Sequence, residues 1–146
     1  MGTVDGGMQP NVVAPQSQAI VDVRTRTQAD AEWVEQNILS LEPDTPGTRL
    51  EISGRIGRPA LERTDRNRAL WNLARGAAAD LGMTLEEGQA GGGSDGNTTS
   101  QFTATLDGLG AVGDGAHADH EHIDIDKSLE RAALLAMLLL APPLES

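Results

Sequence analysis

Apolar residues recur at helical spacing in three places along the chain. Ala31, Val34, Ile38 and Leu41 form the first stripe, broadened by Trp33 and Leu39. Thr27 offers a side-chain oxygen at its start, with Asp30 at the third position, and Pro43 and Pro46 stop it. The second stripe is Leu70, Leu73, Ala74, Ala77, Ala78 and Leu81, opened by Asp65 and ended by Gly82. The third runs from Lys127 to Leu140 through Leu129, Ala132, Ala133, Ala136 and Leu139, and Pro142-Pro143 ends it. Each apolar face predicts a core contact rather than a ligand surface.

Other segments read as strands. Residues 1 to 26 look extended, with β-branched Ile20, Val21 and Val23, and Pro10 and Pro15 put the early part at an edge. Leu50, Ile52 and Ile56 alternate with polar neighbours, the pattern of a half-buried strand. Thr84 to Glu87, Phe102 to Leu106, Leu109 to Val112 and Glu121 to Ile125 supply shorter pieces. Strand, helix, strand over the first part predicts an α+β half-domain.

The stretch from Gly91 to Asp124 breaks both periodicities. It opens on Gly91, Gly92, Gly93, Ser94, Asp95 and Gly96 and later carries Gly108, Gly110, Gly113 and Gly115. Backbone so rich in glycine must turn with positive φ or approach something bound, so the stretch reads as a site. Asp95 to Ser100 can begin a helix. All three histidines of the protein, His117, His120 and His122, stand near its end. Imidazole suits zinc or a similar divalent ion, and His117 follows a glycine turn that can present it into a cleft. His120 and His122 read as solvated residues of an acidic segment. Ser94 lacks a Gly-x-Ser-x-Gly elbow and reads as a hydrogen-bond donor rather than a nucleophile.

Composition narrows the function class. The 146 residues carry 22 acidic against 11 basic side chains, a net charge of -11, which opposes nonspecific binding to nucleic acid or an anionic membrane. There is no cysteine, hence no disulfide framework and no thiolate metal site. Met1 is followed by neither a basic region nor an apolar core of a signal peptide, and the apolar run Ala132 to Ala141 falls far short of the ~20 residues that span a bilayer. A cytoplasmic protein is expected. Aromatic residues are scarce, with two Trp, one Phe and no Tyr, which predicts weak independent stability.

Two motifs in order carry a family resemblance. Gly115-Ala-His117-Ala-Asp-His-Glu121 is similar to the Gly-x-His-x-x-x-Glu context of the last metal ligand in the glutamate carboxypeptidase family, and Gly92-Gly93-Ser94-Asp95 resembles a substrate-pocket element of the same enzymes. These co-catalytic zinc exopeptidases and deacylases include carboxypeptidase G, acetylornithine deacetylase and succinyl-diaminopimelate desuccinylase. The resemblance implies that His117 ligates metal and that Gly93 and Ser94 line the substrate pocket. It also matches Arg58-Pro59 to an arginine that contacts the substrate carboxylate, with Arg55 as the near competitor and a solvated linker arginine as the alternative. Asn11-Val12-Val13 resembles the family's entry to the lid or dimerisation domain, with Ala14 inserted before Pro15. There Asn11 helps bind substrate, or else simply satisfies a turn.

The family site also needs a His-x-Asp, further carboxylates and a glutamate general base. No His-x-Asp precedes His117, and Glu86-Glu87 lies before the glycine motif rather than after the early strands. The resemblance thus implies a C-terminal fragment: residues 1–57 as the second half of a lid/dimerisation domain, and 58–146 as the C-terminal part of an α/β zinc-hydrolase catalytic domain. The catalytic base is expected in the missing N-terminal part. The parent would be a homodimeric metal-dependent hydrolase, with two Zn²⁺ in its complete site, that cleaves the amide bond of a peptide or N-acyl amino acid beside a carboxylate, and this chain alone should be inactive. The alternatives are a noncatalytic module that binds metal or anions, and an interaction protein whose open strand edge recruits a missing half.

Overall fold

The structure, a computed structural model, describes residues 2–143. Its elements are β1 (Val4–Gly6), β2 (Ser17–Ala19), α1 (Gln28–Leu39), α2 (Asp65–Asp80), α3 (Gly96–Thr99), β3 (Gly113–Asp114), β4 (His122–Ile123) and α4 (Ile125–Leu140). This is a small α+β assembly in which two antiparallel hairpins flank the helices. In β1–β2, Val4 pairs with Ala19 and Gly6 with Ser17; in β3–β4, Gly113 pairs with Ile123 and Asp114 with His122.

Helix ends follow local chemistry. The Thr27 hydroxyl accepts from the Asp30 N–H at 3.0 Å, as expected for α1. For α2 the cap is Thr64, whose Oγ1 accepts from the Asn67 N–H at 3.3 Å, and Asp65 becomes the first helical residue, where its charge suits the helix dipole. Helix α4 starts two residues before the expected Lys127, because the Asp124 carboxylate accepts from the Lys127 N–H at 2.9 Å. That cap truncates the predicted strand Glu121 to Ile125 to His122–Ile123. Ile125 belongs to the helix, and His120 lies in a turn rather than beside His122 on a strand face.

The remaining predicted strands differ from the structure. Leu50 to Ile56, Thr84 to Glu87, Phe102 to Leu106 and Leu109 to Val112 have no strand partner among the described residues and are irregular. A strand exists only with a neighbour, so alternation alone does not make one. Their backbone groups find other partners. The Ile56 N–H donates to Glu35 Oε1 at 2.9 Å, Val112 N–H to Ser128 Oγ at 3.1 Å, and Asp124 N–H to Val112 O at 2.8 Å.

The core lies where α2 packs on α4. Ala74, Ala78 and Leu134 are fully buried there, the alanines giving the close approach and Leu134 filling it. The other apolar stripes are not core. Helix α1 has no buried residue, Trp33 is 65 % exposed and Leu139 78 % exposed; among the described residues the helix packing is that of α2 with α4. Polar side chains do much of the joining instead. Asn67 is buried; its Nδ2 donates to Glu62 O at 2.8 Å and its Oδ1 accepts from the Thr105 N–H at 2.9 Å. Glu62 in turn accepts from the Gln28 N–H at 2.8 Å, tying the start of α1 to the same segment.

Removing the Asn67 amide leaves the half-buried Thr105 N–H without its acceptor and leaves Glu62 O with the Thr64 N–H, at 2.9 Å, as its remaining donor. Asn67→Ala should therefore lower stability by about 1–3 kcal/mol in urea unfolding. A change below about 0.5 kcal/mol would show that the amide is not holding residues 62 and 105 together.

Candidate functional site

The Gly91–Gly96 loop is shaped by one asparagine. Asn97 Oδ1 accepts from the Ser94 N–H at 2.8 Å, closing the loop, while its Nδ2 donates to Pro59 O at 2.9 Å. Gln101 reinforces the second contact by donating from Nε2 to Ala60 O at 3.1 Å. The segment that begins at Arg58 is thereby fixed against the loop. As a result the Arg58 side chain lies over Gly93: a Cβ added at Gly93 would meet Arg58 Cδ at 3.1 Å and Nη1 at 3.2 Å. Two sequence candidates, Arg58 and Gly93, are brought together in this way. Arg58 is exposed, and its guanidinium has no ion-pair or hydrogen-bond partner among the described residues.

Ser94 is half-buried next to them. Its hydroxyl donates to Asp107 Oδ2 and accepts from the Gly96 N–H at 3.0 Å. Gly96 is confined, since a Cβ there would meet Ser94 Oγ at 3.0 Å and Leu61 Cδ1 at 3.1 Å. On the other side of the loop Arg24 Nη1 donates to Gly91 O at 2.6 Å, while its Nε pairs with Asp22 at 3.0 Å. Arg24, Asn97 and Asp107 contact this loop, and sequence reading missed them. Asn97 alone had a local signal, an asparagine right after a Ser-Asp-Gly turn.

His117 sits in the β3–β4 connection at φ 68°, the one non-glycine residue with positive φ among those described. Left-handed backbone costs a residue with a Cβ roughly 1–2 kcal/mol. Two features hold it. Glu121 Oε2 accepts from the His117 N–H at 3.2 Å, and Gly115, at φ 75°, makes room for the His120 ring. A Cβ at Gly115 would meet His120 Cδ2 at 2.8 Å. His122 Nδ1 lies 3.1 Å from His120 O. The imidazole of His117 is exposed on the turn. As a test of the donor set, no group of three or more His, Cys, Asp or Glu side chains converges among the described residues. The described residues therefore do not bring a complete metal-ligand set together.

Asn11 is not hydrogen-bonded to Arg58, Gly93, Ser94 or His117. It occupies the turn in which the Val12 N–H donates to Gln9 O at 3.1 Å. Glu87 is committed to Arg63, whose Nε donates to Glu87 Oε1 at 2.6 Å. That hydrogen bond holds the Glu87 carboxyl below the usual glutamate range, with the Arg63 charge acting in the same direction and partial desolvation opposing. A groove of about 600 Å³ between α2 and α4, lined by Leu73, Ala77, Met137 and Leu140, includes none of the candidate residues.

Two expectations follow from this geometry. His117→Gly removes the Cβ from a left-handed position and should raise stability by about 1 kcal/mol in urea unfolding; a loss would mean that the turn depends on the imidazole. Glu87, followed by carboxyl NMR, should titrate lower in the native chain than in Arg63→Ala. Because the folded value is depressed, any stability from the pair is present above the unfolded glutamate pKa and disappears as pH falls through the folded value. Equal titration midpoints in the two proteins would refute the pairing.

No curated protein and no solved structure matches the chain. The model of Peptidase family M20/M25/M40 matches residues 2–141, nearly the whole sequence. With the Gly-Gly-Gly-Ser-Asp loop against Arg58 and the Gly-Ala-His turn both inside that match, the chain belongs to Peptidase family M20/M25/M40, whose peptidases are generally dependent on divalent metal.

Proposed function

We propose that the chain carries the closing part of a carboxypeptidase or deacylase site of the glutamate carboxypeptidase type, acting on the amide bond beside a carboxylate. The observation that carries this reading is the placement of the unpaired Arg58 guanidinium over Gly93, beside Ser94. A Cβ at Gly93 would come within 3.1 Å of Arg58 Cδ, so the arginine side chain would have to shift by a few tenths of an ångström to admit a larger residue. A peptide or N-acyl amino acid presents its carboxylate to Arg58, the glycine loop forms the wall beneath it, and Asn11 assists from the lid segment. His117 supplies one ligand to the metal.

His117 would hold one position of a divalent metal, which when bound in a complete site would supply Lewis-acid chemistry. This chain's own part is recognition and orientation. Arg58 fixes the carboxylate through its planar fork, which aligns the adjoining amide with respect to the histidine turn. Residues 1–57 serve as the half of a lid and dimerisation domain, and residues 58–146 as the end of the catalytic domain. The general base and the remaining ligands come from residues outside this sequence, so the chain by itself does not turn over substrate. The lone histidine donor and the uncovered apolar faces of α1 and α4 both support a divided site completed by another part.

Binding of N-acetyl amino acids tests the recognition step without requiring turnover. In an NMR titration the chain should bind the acid more tightly than the corresponding carboxamide, with shifts at Gly92, Gly93 and Arg58. Arg58→Ala should abolish the preference, since a charge-assisted bidentate contact is worth about 1.5–3 kcal/mol. Equal binding of acid and amide to the native chain would overturn the assignment of Arg58.

A further inference from the structure

Every polar atom of Ser94 has a partner within the chain. Its N–H goes to Asn97 Oδ1 at 2.8 Å, its carbonyl accepts from the Asn97 N–H at 3.2 Å, and its Oγ accepts from the Gly96 N–H at 3.0 Å. The one hydroxyl proton is donated to Asp107 Oδ2. A serine has no second proton to give, so while Asp107 is ionised this hydroxyl cannot donate to a bound carboxylate. Nor is it activated as a nucleophile, since no imidazole is hydrogen-bonded to it. Asp107 is itself anchored: its Oδ1 accepts from the Gly108 N–H at 2.8 Å, and Gly108 O accepts from Arg131 Nη1 of α4 at 3.2 Å. A rigid helix is thereby connected, through one carboxylate, to the loop that faces Arg58.

We infer that Asp107 is a positioning residue for the Arg58–Gly93 carboxylate subsite, acting through the Ser94 hydroxyl, and that Ser94 shapes the loop rather than donating to the ligand. The inference rests on the proposed reading of that subsite. Its physical content is a rotamer lock. With Asp107 present, Ser94 Oγ is held where the Gly96 N–H donates to it at 3.0 Å, at the start of α3. Without the carboxylate the hydroxyl is free to rotate, the Gly96 N–H loses its acceptor, and the loop loosens beneath Arg58.

The test is a double-mutant cycle of Asp107→Ala and Ser94→Ala in the full chain, with Ser94→Thr as the conservative variant. Two readouts are taken: amide exchange at Ser94 and Gly96, and affinity for an N-acetyl amino acid. Each single alanine variant should speed exchange at Gly96 by about 2- to 10-fold, the loss of one hydrogen bond's net contribution. The double variant should be no worse than Ser94→Ala alone, and Ser94→Thr should remain close to the native chain. Probe affinity should fall by the same factor in both single variants and no further in the double. Exchange at Ala74 and Ala78 in α2 serves as the folding control and should not change. Multiplying effects in the double variant, or native exchange at Gly96 in Asp107→Ala, would overturn the inference. If the native chain binds no probe, the proposed carboxylate subsite fails, and the exchange cycle still decides whether Asp107 locks the loop. Probe affinity lost in Ser94→Ala but retained in Asp107→Ala would make Ser94 a direct ligand donor and also refute it.

Discussion

The side-chain amide of Asn97 is the interaction on which the site depends. One end of it accepts from Ser94 and closes the glycine loop; the other donates to Pro59 and fixes the residue next to Arg58. A single planar group thus sets the distance between a loop and a cation that are far apart in sequence. A side-chain amide is suited to this because it donates and accepts at once, without introducing a charge that would compete with a bound carboxylate. Asn67 performs the same operation deeper in the structure, joining Glu62 to Thr105. Between them the two amides hold the connection from residue 59 to 62 against both the α2 helix and the loop.

This architecture contrasts with a domain held by an extensive apolar core. Full burial is limited to the contact of α2 with α4 at Ala74, Ala78 and Leu134, while many large apolar side chains stay exposed. The long-range connections are mostly polar, as with Gln28 to Glu62, Arg24 to Gly91 and Arg131 to Gly108. Exposed polar contacts add little net stability individually but specify geometry well. The arrangement therefore suits the orientation of a loop and an arginine better than independent rigidity. The strained His117 turn fits the same pattern: backbone energy is spent to project an imidazole, with Glu121 securing the amide beneath it.

What was legible in the sequence divides along the range of the interactions. The helices were legible because caps and apolar stripes act within a few residues: Thr27 on Asp30 is three positions, and α2 ends at the Gly82 turn as expected. The strands were not. Leu50 to Ile56 alternates as a strand should, yet no strand pairs with it among the described residues, and Glu35 takes the Ile56 N–H instead. At the site, glycine density marked the loop and the turn before His117, and the family resemblance alone pointed to Arg58. Asp107 went unseen because its partner is 13 residues away, Arg24 because Gly91 is 67 residues away. Neither spacing leaves a periodic trace.

We propose that this chain holds one metal-ligating position, His117, of a site divided between it and residues it does not contain. The most direct measurement is metal content together with hydrolysis of a panel of N-acyl amino acids, on the chain after dialysis against zinc. The account predicts no tight stoichiometric zinc and no turnover. Tightly bound zinc at a fixed stoichiometry with measurable hydrolysis would contradict it, because His117, Asp119, His120, His122 and nearby carboxylates would then have to rearrange into a complete site of their own.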